Sequence, residues 1–233
     1  MERLTTGIDG LDEMLGGGIP VNHAVVIAGP AGAGKTILSM QFVYTNLLKG
    51  KKCLYISAGE DPEALKANTK FFGWDVDRFI DSGDLVMMKP RLIDVVNLTS
   101  DFLEKLPHVV KRSSADLVII DSITEFNDLC QTDIERRGRV LNLYEAIKDS
   151  GATGIMTAEA STDGDGTRYG IADYVTDGVI LLRRLQSRDL SELLHVVQIS
   201  KMRWIEHSRE IRQYEVTDQG IKVHSKYSVI FSE

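Results

Sequence analysis

The chain has 233 residues, a formal net charge of −7, and 43% hydrophobic and 26% charged residues. That composition belongs to a globular protein rather than a disordered one, and its acidic balance argues against a protein that coats nucleic acid, which needs a basic face. Two cysteines, Cys53 and Cys130, exclude a disulfide framework and a four-cysteine zinc site. No apolar run nears the roughly 18 residues of a membrane span. Met1–Pro20 also lacks a signal peptide's apolar core, so a soluble cytoplasmic chain is expected.

The first strong element is Ala24–Gly29 (AVVIAG), a short apolar run ending in glycine, followed by helical spacing over Thr36–Leu48. Cys53–Ser57 reads as a second strand and Pro62–Phe72 as a helix opened by its proline. Leu85–Met88 reads as a strand, and Leu98–Arg112 as a helix kinked or ended at Pro107. Leu117–Asp121 (LVIID) is too short for an independent helix and reads as a strand; Asp133–Asp149 is helical and closed by Gly151. Thr153–Ala158 and Val175–Leu182 continue the strand series. Runs apolar on both faces, separated by helices, predict a mainly parallel sheet with helices on each side. From Leu193 the pattern changes to strands without helices: Leu193–Met202, Arg212–Val216, Gly220–Val223 and Ser228–Phe231, with Asp218–Gly220 as a turn. They predict an antiparallel extension at one edge. With no linker and no internal repeat, residues 1–233 are expected to form a single domain.

The chemistry is concentrated in Gly29, Pro30, Ala31, Gly32, Ala33, Gly34, Lys35 and Thr36, a complete G-x-x-x-x-G-K-[ST] match between a strand and a helix. The glycines let successive N–H groups face an anion, and the following helix points its positive end at the same place. Lys35 adds a full charge for β- and γ-phosphates, Thr36 offers a hydroxyl to Mg²⁺, and Ile37 completes the nucleotide-binding stretch. Asp121, ending an apolar strand 85 residues after Thr36, is placed at the carboxyl edge of the sheet, where it would hold Mg²⁺ or its water shell.

Around these residues the chain resembles KaiC-type ATPase domains, the RecA-like group that includes archaeal RadA and its paralogues. The resemblance runs from Thr6–Asp12 and Gly16–Pro20 through Gln41–Tyr44, Leu54–Ser57, Asp121–Thr124, Arg168–Gly170 and Tyr174–Gly178. It ends with Lys201–Arg203, His207 and Thr217–Gly220, and so covers nearly the whole chain. It implies an α/β RecA-like P-loop core and an Mg²⁺-dependent ATPase. It also implies a homo-oligomer, a hexameric ring in the family, in which a Lys-x-Arg pair reaches the neighbour's γ-phosphate. Lys201 and Arg203 match that pair. Two positions depart from the pattern. The family's carboxylate pair before a Ser/Thr-Pro reads here as Gly59 and Glu60 ahead of Asp61 and Pro62, so the carboxylate that polarises water is missing at residue 59. Glu60 remains as the catalytic carboxylate; either it orients water alone or hydrolysis is slow, and a non-hydrolysing nucleotide switch is the alternative. Trp204 stands where the family usually has glycine.

Between Arg183 and Arg212 there are seven basic and four acidic residues, a local basic region in an acidic chain. It suits either a neighbour's phosphates or a mixed solvated surface. The loop Ser161–Thr167 occupies the region of the DNA-contacting loops of RecA-like recombinases, but it holds two aspartates and no Lys or Arg. A DNA-repair accessory role is therefore the weaker alternative. The five histidines show no metal-ligand spacing.

Overall fold

The computed structural model describes residues 1–90, 109, 112, 114–186 and 193–228, with 225–228 described by backbone alone. Apart from 109 and 112, the helix expected over 98–112 lies outside the described residues, as does the end of the strand expected over 228–231.

The core is a nine-stranded sheet. Its parallel part comprises β3 (Ala24–Gly29), β4 (Cys53–Ser57), β5 (Leu85–Met88), β6 (Leu117–Asp121), β7 (Thr153–Glu159) and β8 (Gly178–Gln186). Antiparallel strands β9 (Leu193–Met202), β10 (Ile211–Thr217) and β11 (Gly220–Ser228) extend it beyond β8. The order across the sheet is β11-β10-β9-β8-β3-β7-β6-β4-β5. This is the α/β architecture expected from the alternation of apolar runs and helical periods.

Because strand side chains alternate, the buried strands feed two separate cores. Val25, Ile27, Tyr55, Ile119 and Ile155 pack with Leu38 and Phe42 of α2 (Lys35–Leu47) on one face. On the other face, Val26, Ala28, Ile56, Val118 and Met156 pack with Val140, Leu143 and Ile147 of α6 (Asp133–Ser150). The ends of α6 follow local chemistry. Thr132 and Glu135 form a reciprocal capping box, and Gly151 closes the helix at φ 78°, a left-handed value that favours glycine.

Several local expectations are corrected. The helix expected over Pro62–Phe72 is α3 (Pro62–Thr69), capped by the Asp61 carboxylate, and it tightens to a 3₁₀ turn at Lys70–Phe72. The strand expected over Val175–Leu182 starts only at Gly178 and continues to Gln186, because Ile171–Val175 is a short helix, here α7. Both the amide and the hydroxyl of Thr176 bond the carbonyl of Ala172, which holds that last turn. β11 runs on without a break to Ser228 instead of stopping at Val223. Short elements absent from the sequence reading are β1 (Arg3–Leu4), α1 (Asp9–Met14), β2 (Ile19–Pro20), α4 (Asp77–Ser82) and α5 (Ile123–Asp128). Among the described residues no helix is long and apolar enough to cross a membrane.

Candidate nucleotide-binding site

Strand register places the expected residues at one edge. Gly29 at the end of β3 is level with Glu159 of β7, and Ser57 at the end of β4 is level with Asp121 of β6. The carboxyl ends of β3, β7, β6 and β4 therefore gather the phosphate loop and the carboxylates together, as open α/β sheets do with their ligands.

The loop takes the conformation its glycines allow, with Gly32 at φ 76° and Gly34 at φ 84°. A Cβ on Gly32 would meet nothing within 4 Å, so the requirement there is conformational rather than steric. No side chain caps α2, which leaves the amides of its first turn available to an anion. From below, the Tyr214 hydroxyl of β10 donates to the Ala33 carbonyl at 2.6 Å and braces the loop. Burial pushes that phenol's pKa upward. The Lys35 ammonium donates to the carbonyls of Gly29 at 2.8 Å and Pro30 at 3.1 Å. Burial lowers its pKa, while the carboxylates of Asp121, Glu159 and Glu125 pull it back up and Arg184 lowers it further.

Thr36 and Asp121 meet as expected: the Thr36 hydroxyl donates to Asp121 Oδ2 at 2.8 Å. Two further hydroxyls hold the same carboxylate, Tyr55 on Oδ2 at 2.7 Å and Thr157 on Oδ1. Burial first, then the charge of Asp121, raises the Tyr55 pKa well above its ordinary value, so Tyr55 acts as a donor. The hydroxyl–carboxylate pair offers the hard oxygen donors that suit Mg²⁺. Among the described residues no group of three His, Cys, Asp or Glu could hold a metal by itself. The pair thus fits an ion that takes its remaining ligands from phosphate and water.

Glu60 follows β4 and is exposed, and its side chain makes no hydrogen bond or ion pair among the described residues; the Ser57 hydroxyl instead binds its backbone carbonyl at 2.6 Å. Gly59 lies beside the Glu125 carboxylate of α5: a Cβ on Gly59 would stand 3.3 Å from Glu125 Oε1.

Lys201 and Arg203 do not join the cradle of their own chain. Lys201 is level with Val179, and Gly178 is level with Val25, four residues before Gly29. At roughly 3.3 Å per residue the pair sits about 13 Å back along the strands, towards the opposite edge. There Lys201 Nζ donates to the carbonyls of Asp173 at 2.7 Å and Thr176 at 2.6 Å, and Arg203 donates to that of Tyr174 at 2.8 Å. The two cations thereby cover the carboxyl end of α7. Burial first, then the neighbouring Arg203, lowers the Lys201 pKa. Trp204 follows at φ 66° and is 86% exposed, so the backbone keeps the left-handed turn that suits the glycine expected there.

The site residues missed from the sequence are Tyr55, Thr157, Tyr214 and Glu125. A tyrosine inside the apolar run CLYIS is the one local signal, since a buried phenol needs a partner. Thr157 and Tyr214 reach the site only through strand order, whereas Glu125 follows Asp121 by four residues at the start of α5.

The family model described as "ATPase: KaiC" matches residues 4–228. The circadian clock protein KaiC3 of Synechocystis is 29% identical over 90% of this chain and 43% of its own length. A UPF0273 protein of Thermotoga maritima is 29% identical over 96% of both chains. The chain thus spans less than half the length of the clock proteins it matches, but nearly all of the UPF0273 protein. A crystal structure of a KaiC-like protein from Pyrococcus horikoshii superposes with a TM-score of 0.85 at 30% identity, covering 96% of this chain and 99% of the other. With its phosphate loop, its Thr36–Asp121 pair and this match along its length, the chain belongs to the KaiC family of ATPase domains, within the RecA-like superfamily.

Proposed function

We propose that the chain is an Mg²⁺-dependent ATPase whose site is completed by a second copy of itself. The observation that carries the reading is the 2.8 Å contact between the Thr36 hydroxyl and Asp121 at the mouth of an uncapped phosphate loop. Loop amides and Lys35 bind the β- and γ-phosphates, with Lys35 exchanging the carbonyls of Gly29 and Pro30 for fully charged oxygens. Thr36 and Asp121 would hold Mg²⁺, which would supply positive charge against the phosphates during the transfer. A carboxylate beside the cradle orients the attacking water, and Glu60 is the sequence candidate for that role.

Lys201 and Arg203 serve the neighbour in this reading. Their place on the edge away from their own loop supports it, as do their hydrogen bonds to backbone carbonyls that phosphate can replace, beside a looser Arg203–Asp177 pair at 4.0 Å. The test is complementation. Lys35→Ala and Arg203→Ala are each expected to hydrolyse ATP at least tenfold more slowly than the parent. Mixed, they should recover activity, because a mixed interface pairs one intact loop with one intact finger. A mixture no faster than the mean of its parts refutes action across subunits.

Gly59 favours a second reading, a nucleotide-bound assembly switch with little turnover. A nucleotide analogue that raises the melting temperature while no phosphate is released selects it.

A further inference from the structure

We propose that Glu125 is the catalytic carboxylate that orients and deprotonates the attacking water, in the space left open by Gly59. This rests on the ATPase reading above. The carboxylates that act most strongly on the Lys35 charge are Asp121, Glu159 and Glu125. Asp121 is committed, its oxygens bonded by the hydroxyls of Thr36, Tyr55 and Thr157. Glu159 is paired with Arg168 at 3.0 Å. Glu125 is exposed and has one hydrogen-bond partner among the described residues, the Ser122 hydroxyl on Oε2. Its other oxygen, Oε1, is the one lying 3.3 Å from where a Cβ on Gly59 would be. A side chain at residue 59 would crowd that oxygen, and glycine leaves it room.

The chemistry needs one base near the γ-phosphate. The water oxygen forms a bond to the γ-phosphorus, and the bond from phosphorus to the β,γ-bridging oxygen breaks with its electron pair remaining on ADP. The water proton passes to Glu125 Oε1 and then to solvent. No other reactant is required.

A purely structural role is the competing explanation, because Glu125 accepts from the Ser122 hydroxyl that caps the start of α5. Glutamine keeps that cap and cannot accept the proton, so Glu125→Gln separates the roles. The full chain is assayed with saturating Mg·ATP, at concentrations where size exclusion shows assembly, beside a non-hydrolysable ATP analogue for affinity. The expected result is a kcat lowered by about 10²–10⁴-fold in Glu125→Gln. Analogue affinity and melting temperature should stay at the parent values. Combining Gly59→Glu with Glu125→Ala should restore at least tenfold over Glu125→Ala alone, by returning a carboxylate to the same space. Parent-like turnover in Glu125→Gln overturns the proposal and leaves the ATPase reading standing. A double variant no faster than Glu125→Ala overturns the placement beside residue 59. Bound analogue without any turnover by the parent chain overturns both the proposal and the hydrolytic reading.

Discussion

Asp121 shows how a residue acquires its role from neighbours it cannot specify locally. An aspartate ending an apolar strand is commonly a turn or a cap, but here three hydroxyls from α2, β4 and β7 fix its carboxylate. Removing one donor leaves two, so Tyr55→Phe is expected to cost about 1–2 kcal/mol in denaturant unfolding and to leave nucleotide binding in place. Trp204 poses the opposite case, a residue type at odds with its backbone at φ 66°. Trp204→Gly should be more stable than Trp204→Ala by about 1 kcal/mol in thermal or chemical unfolding, since both remove the ring and only glycine adopts that φ freely. The phosphate loop was legible in the sequence from residue type at fixed spacing, and the departures at residues 59 and 204 from the resemblance to KaiC-type domains. The hydroxyls around Asp121 were not, because they lie up to 85 residues away from it.

Among the elements, long runs announced themselves and short ones did not. The six-residue helices α1, α4 and α5 and the five-residue α7 span less than two turns, too few for a 3.6-residue period to emerge from the pattern. Val175, the first residue of the strand expected there, therefore belongs to α7. α2 carries more than the phosphate loop, since the Gln41 amide joins both ends of the chain to it. Gln41 donates to the carbonyls of Gly7 at 3.0 Å and Ile221 at 3.2 Å, and accepts from the Ile221 amide at 2.7 Å. Gln41 is buried, so Gln41→Leu strands those backbone groups away from water. The expected loss is about 2–4 kcal/mol in urea unfolding, with the Thr36–Asp121 pair unaffected.

For the whole molecule, the decisive fact is that β9 runs antiparallel to β8, which itself pairs parallel with the loop strand β3. That pairing carries Lys201 and Arg203 to the edge away from their own cradle, and in the proposed reading their charge serves a neighbouring copy. ATP turnover per chain is accordingly expected to rise with protein concentration, and size exclusion with Mg·ATP to show a larger species than without it. A constant rate over a hundredfold dilution would contradict this. The loop Ser161–Thr167 closes on itself through Ser161 and Gly166, and Asp165 pairs with Arg183 at 2.6 Å. Such an acidic loop predicts that any binding to single-stranded DNA is weak and vanishes by moderate salt, as fluorescence anisotropy would report.

By itself the sequence determined the length and acidity of the chain, the alternation that makes a parallel α/β sheet, the phosphate loop and its paired aspartate. These depend on period, residue type and short spacing, which are local properties. The tertiary structure decided which carboxylate lies beside Gly59, which hydroxyls hold Asp121, and on which edge the late cations lie. Those depend on strand order and register, which bring together residues with no fixed spacing between them in the chain.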